Sequence, residues 1–411
     1  MSMRYLIRAK KIVTVTPNGT VQDGVICIEK GRIKWISEWK DIQENWTSSL
    51  SNTEIIHYED GVITPSLVDC HTHLLEFAPF SLYPVTAETH LMQAVHLLFQ
   101  ALSAGITAVG EQICGHPQAD MSIDRYRDLV RNLPLDVQFS VSAVSIGFDP
   151  LRHFTGVTGS KPVELEQLTA DQSLIERLAR ESDFPGENVF INATPANFPE
   201  ERVPLAGEII YSVDQLKRIA EQFKQQEKKF GAHVGGAEGI ERALQAGVDV
   251  LHHAHGITAG QIQEAANRGC WIVATPLGGT HHIPHSPEEV HRLIEHGITV
   301  ALATDSYIPP HPEASWFPLQ TTALQGPQVF MTMAHPFMRF LQERGWDEND
   351  VLSLITLNGA RVLGKDDQYG CLREGMEANF IVSSGIPGLE ITRIEDIQHV
   401  YYRGKKVVQR G

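Results

Sequence analysis

At 411 residues the chain is longer than a typical single domain, and one large domain with a small satellite module is the starting expectation. Fifty acidic residues against 34 basic ones leave a net charge of −16, which argues against the phosphate-neutralising surface that a nucleic-acid partner requires. The five cysteines (Cys27, Cys70, Cys114, Cys270, Cys371) are scattered, odd in number and without a CxxC pair, which is not a secreted disulfide framework. With no export-type apolar segment near the N-terminus and no run of about 18 apolar residues, a soluble cytoplasmic protein with no membrane partner is expected.

Residues 1–61 read as short strands broken by turns: YLIRAKKIVTV, then GVICIEKGRIKWI turning at Gly31, then EIIHYEDGVI. From about residue 62 to 365 strand, loop and helix alternate, the texture of parallel βα units. AETHLMQAVHLLFQALSAG sets Leu91, Val95, Leu98 and Leu102 at helical spacing and stops at Gly105, and ITAVGE follows as a strand. The region 150–230 is too irregular for its strands to be counted. Beyond it GVDVLHHAHG, TAGQIQEAANRG and CWIVATP read as strand, helix, strand. HSPEEVHRLIEHG then carries Ser286 as N-cap, Pro287 at the first helical position and Glu289 completing a capping box. Residues 366–411 return to short strands in GCLREGMEANFIV and HVYYRGKKVV. The fold class predicted is α/β: a TIM-like (β/α)8 barrel with a small β-sandwich module built from both chain ends.

Nineteen histidines are present, several of them at the ends of predicted strands. In VDCHTHLLEF, alternation along a strand sends His71 and His73 to one face, a ready half-site for zinc or a similar divalent ion. HxH alone is weak evidence. Three other strand ends carry metal-capable groups, however: His233 in KKFGAHVGG, His253 and His255 in VDVLHHAHG, and Asp305 in VALATDS. A closed parallel barrel gathers its strand C-termini, and therefore these residues, on the face where such folds keep their active sites.

With these pieces assembled, the chain resembles the amidohydrolase superfamily of metal-dependent hydrolases, closest to its imidazolonepropionase and Xaa-Pro dipeptidase-like branches. The matching stretches are ITPSLVDCHTH, GITAVGE, GAHVGGAEGIERALQAGVDVLHHA, ALATDS and LITLNGARVLG with the tail GCLREGMEANFIV. The resemblance implies that His71, His73, His233 and Asp305 bind the metal. It further implies that Asp305 doubles as general base and that His253 acts either on a second ion or on the substrate carbonyl, with His255 as the alternative at that strand. It implies hydrolysis of a carbon–nitrogen bond outside peptides, in an amide, cyclic amide or N-acyl compound, by metal-activated water. A hydrolytic deaminase and a catalytically silent scaffold are the alternatives.

Binuclear members carry a bridging carboxylated lysine at the fourth strand, where Asn192 stands here, and Lys161, Lys217, Lys224, Lys228 and Lys229 are badly placed to replace it. One Zn2+, or another divalent transition ion, is therefore expected per chain, with Glu111 or an acid near residue 200 as a lesser route to a second. Deaminase members carry a glutamate three residues beyond the fifth-strand histidine, where this chain has Gly236 and, two residues on, Glu238. Asp69 faces the same way as His71 and is a candidate to orient a ligand imidazole. Loop residues His281, His282, His285, His311 and Trp316 are candidate substrate contacts, and Arg152 and Arg202 candidate carboxylate binders. The partners expected are a small-molecule substrate and a second copy of the chain.

Overall fold

A computed structural model of the chain describes residues 4–45, 54–75, 86–113, 121–142, 169–192 and 207–410. Four strands open it: β1 (Arg4–Val13), β2 (Thr20–Glu29), β3 (Arg32–Glu38) and β4 (Glu54–Pro65). Eight strands of the core follow: β5 (Leu67–Thr72), β6 (Ile106–Ile113), β7 (Asp136–Val141), β8 (Val189–Phe190), β9 (Gly231–Gly235), β10 (Val250–His255), β11 (Trp271–Ala274) and β12 (Val300–Leu302). The chain closes with β13 (Phe380–Ser383), β14 (Ile397–Tyr402) and β15 (Lys405–Gln409).

β1 to β4 and β13 to β15 make one seven-stranded sheet in the order β15-β14-β13-β4-β1-β2-β3, so both chain ends build the satellite module together. The join is β13 running antiparallel to the last residues of β4, Phe380 opposite Pro65 and Ser383 opposite Val62. The core strands are all parallel, in two arcs, β5-β6-β7 and β8-β9-β10-β11-β12. At one seam Thr72 pairs with Ser306, and the Asp305 amide donates to the His71 carbonyl at 3.0 Å. At the other, Asn188 donates from its side-chain amide to Ser140 Oγ at 3.0 Å. The result is the (β/α)8 barrel. Every residue of β5, β6, β9 and β10 is buried, as expected of parallel strands covered on both sides, and this is why they read as near-continuous apolar runs.

The helix Ala87–Ser103 starts at a Thr86/Thr89 capping box, and of the four apolar residues at helical spacing Leu98 and Leu102 are buried. His90, Ala94, Leu97, Leu98 and Ala101 point inward while Leu91 and Val95 sit at the margin, because small Ala94 and Ala101 let the helix lie close to the barrel. The helix Pro287–Glu295 begins as predicted: the Ser286 hydroxyl accepts from the Glu289 amide and the Glu289 carboxylate accepts from the Ser286 amide. The seam around β8 is faint in the sequence because the strand has only two residues, Val189 and Phe190, and the side toward β7 is closed by the side chains of Asn188 and Gln112. Among the described residues no helix is long and apolar enough to cross a membrane. Replacing Ser286 with Ala removes one half of the capping box and is expected to cost about 1 kcal/mol, read as a lowered urea midpoint with an unchanged slope.

Candidate metal centre

Four histidines and two carboxylates meet at the C-terminal mouth of the barrel. His71 and His73 leave β5 on one side and approach the same oxygen, their Nε2 atoms 3.2 and 3.3 Å from Asp305 Oδ1. Asp305 is fixed from both directions. Its amide donates to the His71 carbonyl, the His73 amide donates to the Ser306 carbonyl, and Asp69 holds the neighbouring Thr304 through its amide and hydroxyl at 3.1 and 2.6 Å. Opposite stands Glu187, 1 % exposed. Its Oε1 lies 2.8 Å from His253 Nε2 and in short contact with His233 Nδ1, while Oε2 lies 3.3 Å from His73 Nε2.

The backbone explains how Glu187 is held there. Its amide donates to Gln112 Oε1 at 2.7 Å and its carbonyl accepts from the Ser142 hydroxyl. A Cβ on the preceding Gly186 would fall 2.3 Å from Gln112 Oε1, so that approach needs glycine. On β10 the chain turns left-handed at His253 (φ 68°) and Ala254 (φ 52°), with a register shift against β9. Adjacent His252 and His253 therefore both come near His71, with ring centroids 4.8 and 5.0 Å away, where a regular strand would send them to opposite faces.

Burial alone would raise the Glu187 and Asp305 carboxyls, but the surrounding imidazoles outweigh it and hold both below the ordinary carboxylate range. Burial would likewise lower His73, yet Asp305 and Glu187 hold it well above the usual histidine value. His233 goes the other way, down to about 4, because burial and neighbouring His253 outweigh Glu187.

A hydrogen position can be inferred at His253. The Thr275 hydroxyl donates to the Gly278 carbonyl at 2.6 Å, so it can only accept from His253 Nδ1, 2.7 Å away. With that proton on Nδ1, His253 Nε2 faces Glu187 Oε1 at 2.8 Å, an approach that takes either a second proton on the ring or a cation shared by the two. His71 Nε2 and Glu187 Oε2 are also buried without a hydrogen bond. Two sets, His71 with His73 and Asp305, and His71 with Glu187 and His253, each bring three donor atoms within 4.8 Å. Nitrogen and carboxylate donors in this arrangement suit a divalent metal ion.

Comparison with known proteins agrees with that chemistry: the profile of the amidohydrolase family matches residues 62–407. The chain belongs to the amidohydrolase family. A metal-dependent hydrolase of carbon–nitrogen bonds is the function this membership supports. The chain is 24% identical to an imidazolonepropionase of Alkaliphilus oremlandii, over 96% of its own length and 92% of the relative's. Its fold is similar to that of a Xaa-Pro dipeptidase with methionine bound in the active site (TM-score 0.69, 16% identity, 98% and 99% of the two chains). It is also similar to molinate hydrolase (TM-score 0.72, 16% identity, 99% and 95%).

The amidohydrolase centre thus gathers His71, His73, His233, His253 and Asp305, and adds Glu187, which the sequence reading missed. The fourth strand was aligned on Asn192, but Asn192 is occupied in stitching strand ends, giving its amide to the Gly235 carbonyl at 2.7 Å and taking the Gly235 amide at 3.2 Å. The overlooked signal was an acid in FPGENVF, just ahead of a buried strand. His255 stands apart from the carboxylates, its Nδ1 2.8 Å from the Thr280 hydroxyl. Asp69 grips Thr304 in place of a ligand imidazole. Glu111 is a tether, accepting from the Thr72 hydroxyl and the Leu74 and Leu75 amides, with burial pushing it up to about 7.

Among the loop candidates, buried His285 donates from Nε2 to the His253 carbonyl and so braces that turn. Trp316 packs on Phe337, and His311 accepts from the Glu313 amide. His281 and His282 lie ring to ring, centroids 4.0 Å apart, with His282 against Gly236. Arg152 and Arg202 lie outside the described residues. Gly279 crosses the centre at φ 106°, and a Cβ there would meet Asp305 Oδ2 at 2.3 Å and His253 Cε1 at 2.4 Å. Gly279→Ala should therefore leave the circular dichroism spectrum intact while metal retained after dialysis falls at least several-fold.

Proposed function

We propose that this amidohydrolase holds two divalent ions, zinc first among them, and opens the carbon–nitrogen bond of a non-peptide amide, cyclic amide or N-acyl compound. The observation that carries the proposal is the divided Glu187 carboxylate, with one oxygen toward His233 and His253 and the other toward His73. An imidazole nitrogen has one lone pair, so His71 Nε2 serves a single ion, and it lies nearer Asp305 (3.2 Å) than Glu187 (3.6 Å). His71, His73 and Asp305 would hold one ion and His233 and His253 the other, with Glu187 presenting an oxygen to each group. The expectation of one ion rested on Asn192 as the fourth-strand group, and Glu187 removes that ground.

A divalent ion held by these residues would supply a nucleophilic water at neutral pH, since such ions lower the pKa of water to about 7. Asp305, ionised at neutral pH and engaged through Oδ1, has Oδ2 left to take a proton from the attacking water and return it to the leaving nitrogen. His253, with Nε2 on Glu187, serves as a ligand in this reading and not as the partner of the substrate carbonyl. A hydrolytic deaminase is less well supported: Gly236 offers no acid, and Glu238 pairs with Arg242 at 2.8 Å with its side chain largely exposed. A cytoplasmic homo-oligomer acting on a small molecule completes the proposal, divided near the expected bounds 1–61, 62–365 and 366–411, with β4 carrying the satellite sheet on to Pro65.

Elemental analysis of purified protein tests it: about two ions per chain are expected, about one or none in Glu187→Ala, and the wild-type content in Asn192→Ala. One ion in the wild type, unchanged in Glu187→Ala, would refute the bridging role. Substrate screening on cyclic amides and N-acyl compounds should find hydrolysis without stoichiometric ammonia. The pH dependence has a definite sign. His73, raised above its ordinary value, must lose its proton to bind an ion, so affinity rises with pH up to that raised pKa, about tenfold per unit for each proton released. A chelator-competition titration at pH 6 and pH 8 should show tighter binding at pH 8, and equal or weaker binding would contradict the assignment.

A further inference from the structure

His252 touches neither carboxylate of the centre, yet it is buried at 0 % exposure beneath it with both ring nitrogens engaged. Its Nε2 lies 2.9 Å from the Pro185 carbonyl, which can only accept, so the proton sits on His252 Nε2. In the neutral ring Nδ1 is then an acceptor, and it lies 2.7 Å from His71 Nδ1. His71 therefore donates from Nδ1, and its Nε2 is turned toward Asp305 and Glu187. Pro185 is two residues ahead of Glu187 in a segment already clamped by Gln112 and Ser142. The relay thus ties β5, β10 and the Glu187 segment together through one ring.

We propose that His252 is a positioning residue that fixes the tautomer and orientation of His71, and so sets how tightly the centre holds its ion, by relaying a hydrogen bond from His71 Nδ1 to the Pro185 carbonyl. A backbone carbonyl could take the His71 proton alone. The interposed imidazole adds reach, and it makes the tautomer of one histidine depend on that of the next. Buried partners of ligand imidazoles typically change metal affinity by about 10- to 100-fold when removed. The left-handed turn at His253 makes this possible, since it lets His252 share the interior with its neighbour.

The inference rests on the metal reading above, and its test separates the two. Cobalt(II) titrated into metal-free full-length protein reports affinity and, through its visible d–d bands, ligand geometry. In His252→Phe, which keeps a ring but loses the acceptor, affinity should fall about 10- to 100-fold and the bands should shift. His252→Asn, whose amide carbonyl accepts from His71, should recover much of both. His252→Phe with wild-type affinity and spectrum would overturn the proposal. Long-range 1H–15N correlation on histidine-labelled wild-type protein needs no variant. The proposal requires His252 protonated at Nε2 and His71 at Nδ1, and a proton on His252 Nδ1 would overturn it. If the wild type binds no cobalt, the metal reading fails while the proton positions still decide the relay.

Discussion

The mouth of the barrel is organised around a buried glutamate that would be untenable alone. Removing a carboxylate from water costs several kcal/mol even after relaxation, and Glu187 is almost wholly enclosed. Four histidine rings, drawn from β5, β9 and β10, compensate it, and their influence keeps it ionised against the pull of burial. Much of the local architecture serves this grouping. The glycine at 186, the Gln112 and Ser142 clamps, the left-handed turn at His253 and the glycine at 279 each permit an approach that an ordinary residue or a regular strand would forbid.

The site is held by polar lacing and not by apolar packing. Asp69 grips Thr304 beside Asp305, Glu111 grips the chain just beyond His73, and Thr275 and His252 each end a hydrogen-bond relay on a backbone carbonyl. In a low-dielectric interior such satisfied networks fix side chains tightly. The imidazoles of His71 and His253 are thereby presented with Nε2 inward, which is the preorganisation that metal binding and electrostatic catalysis share.

Much of this was legible in the sequence. Parallel strands buried on both faces appear as apolar runs, and the residues ending them, His71, His73, His233, His253 and Asp305, stood out because ionisable groups are rare in such places. The capping box at Ser286 was readable because caps are local. Glu187 was not, since β8 has only two residues and the Glu187 segment is fixed by side chains distant in sequence, so nothing local marks its register. Alternation gives no sign of His252 either: a period of two places it opposite His253, and the positive φ at His253 and Ala254 accompanies both coming inward. The helix Ala87–Ser103 was legible from its leucines, while its inner side also includes alanines, which are weak markers of burial.

The most direct test of the account is anomalous diffraction from crystals of the zinc-loaded protein, recorded on both sides of the zinc edge. The account predicts two peaks per chain flanking the Glu187 carboxylate, one among His71, His73 and Asp305 and the other between His233 and His253. A single peak, or any pair of peaks that leaves Glu187 without a metal contact, would contradict it.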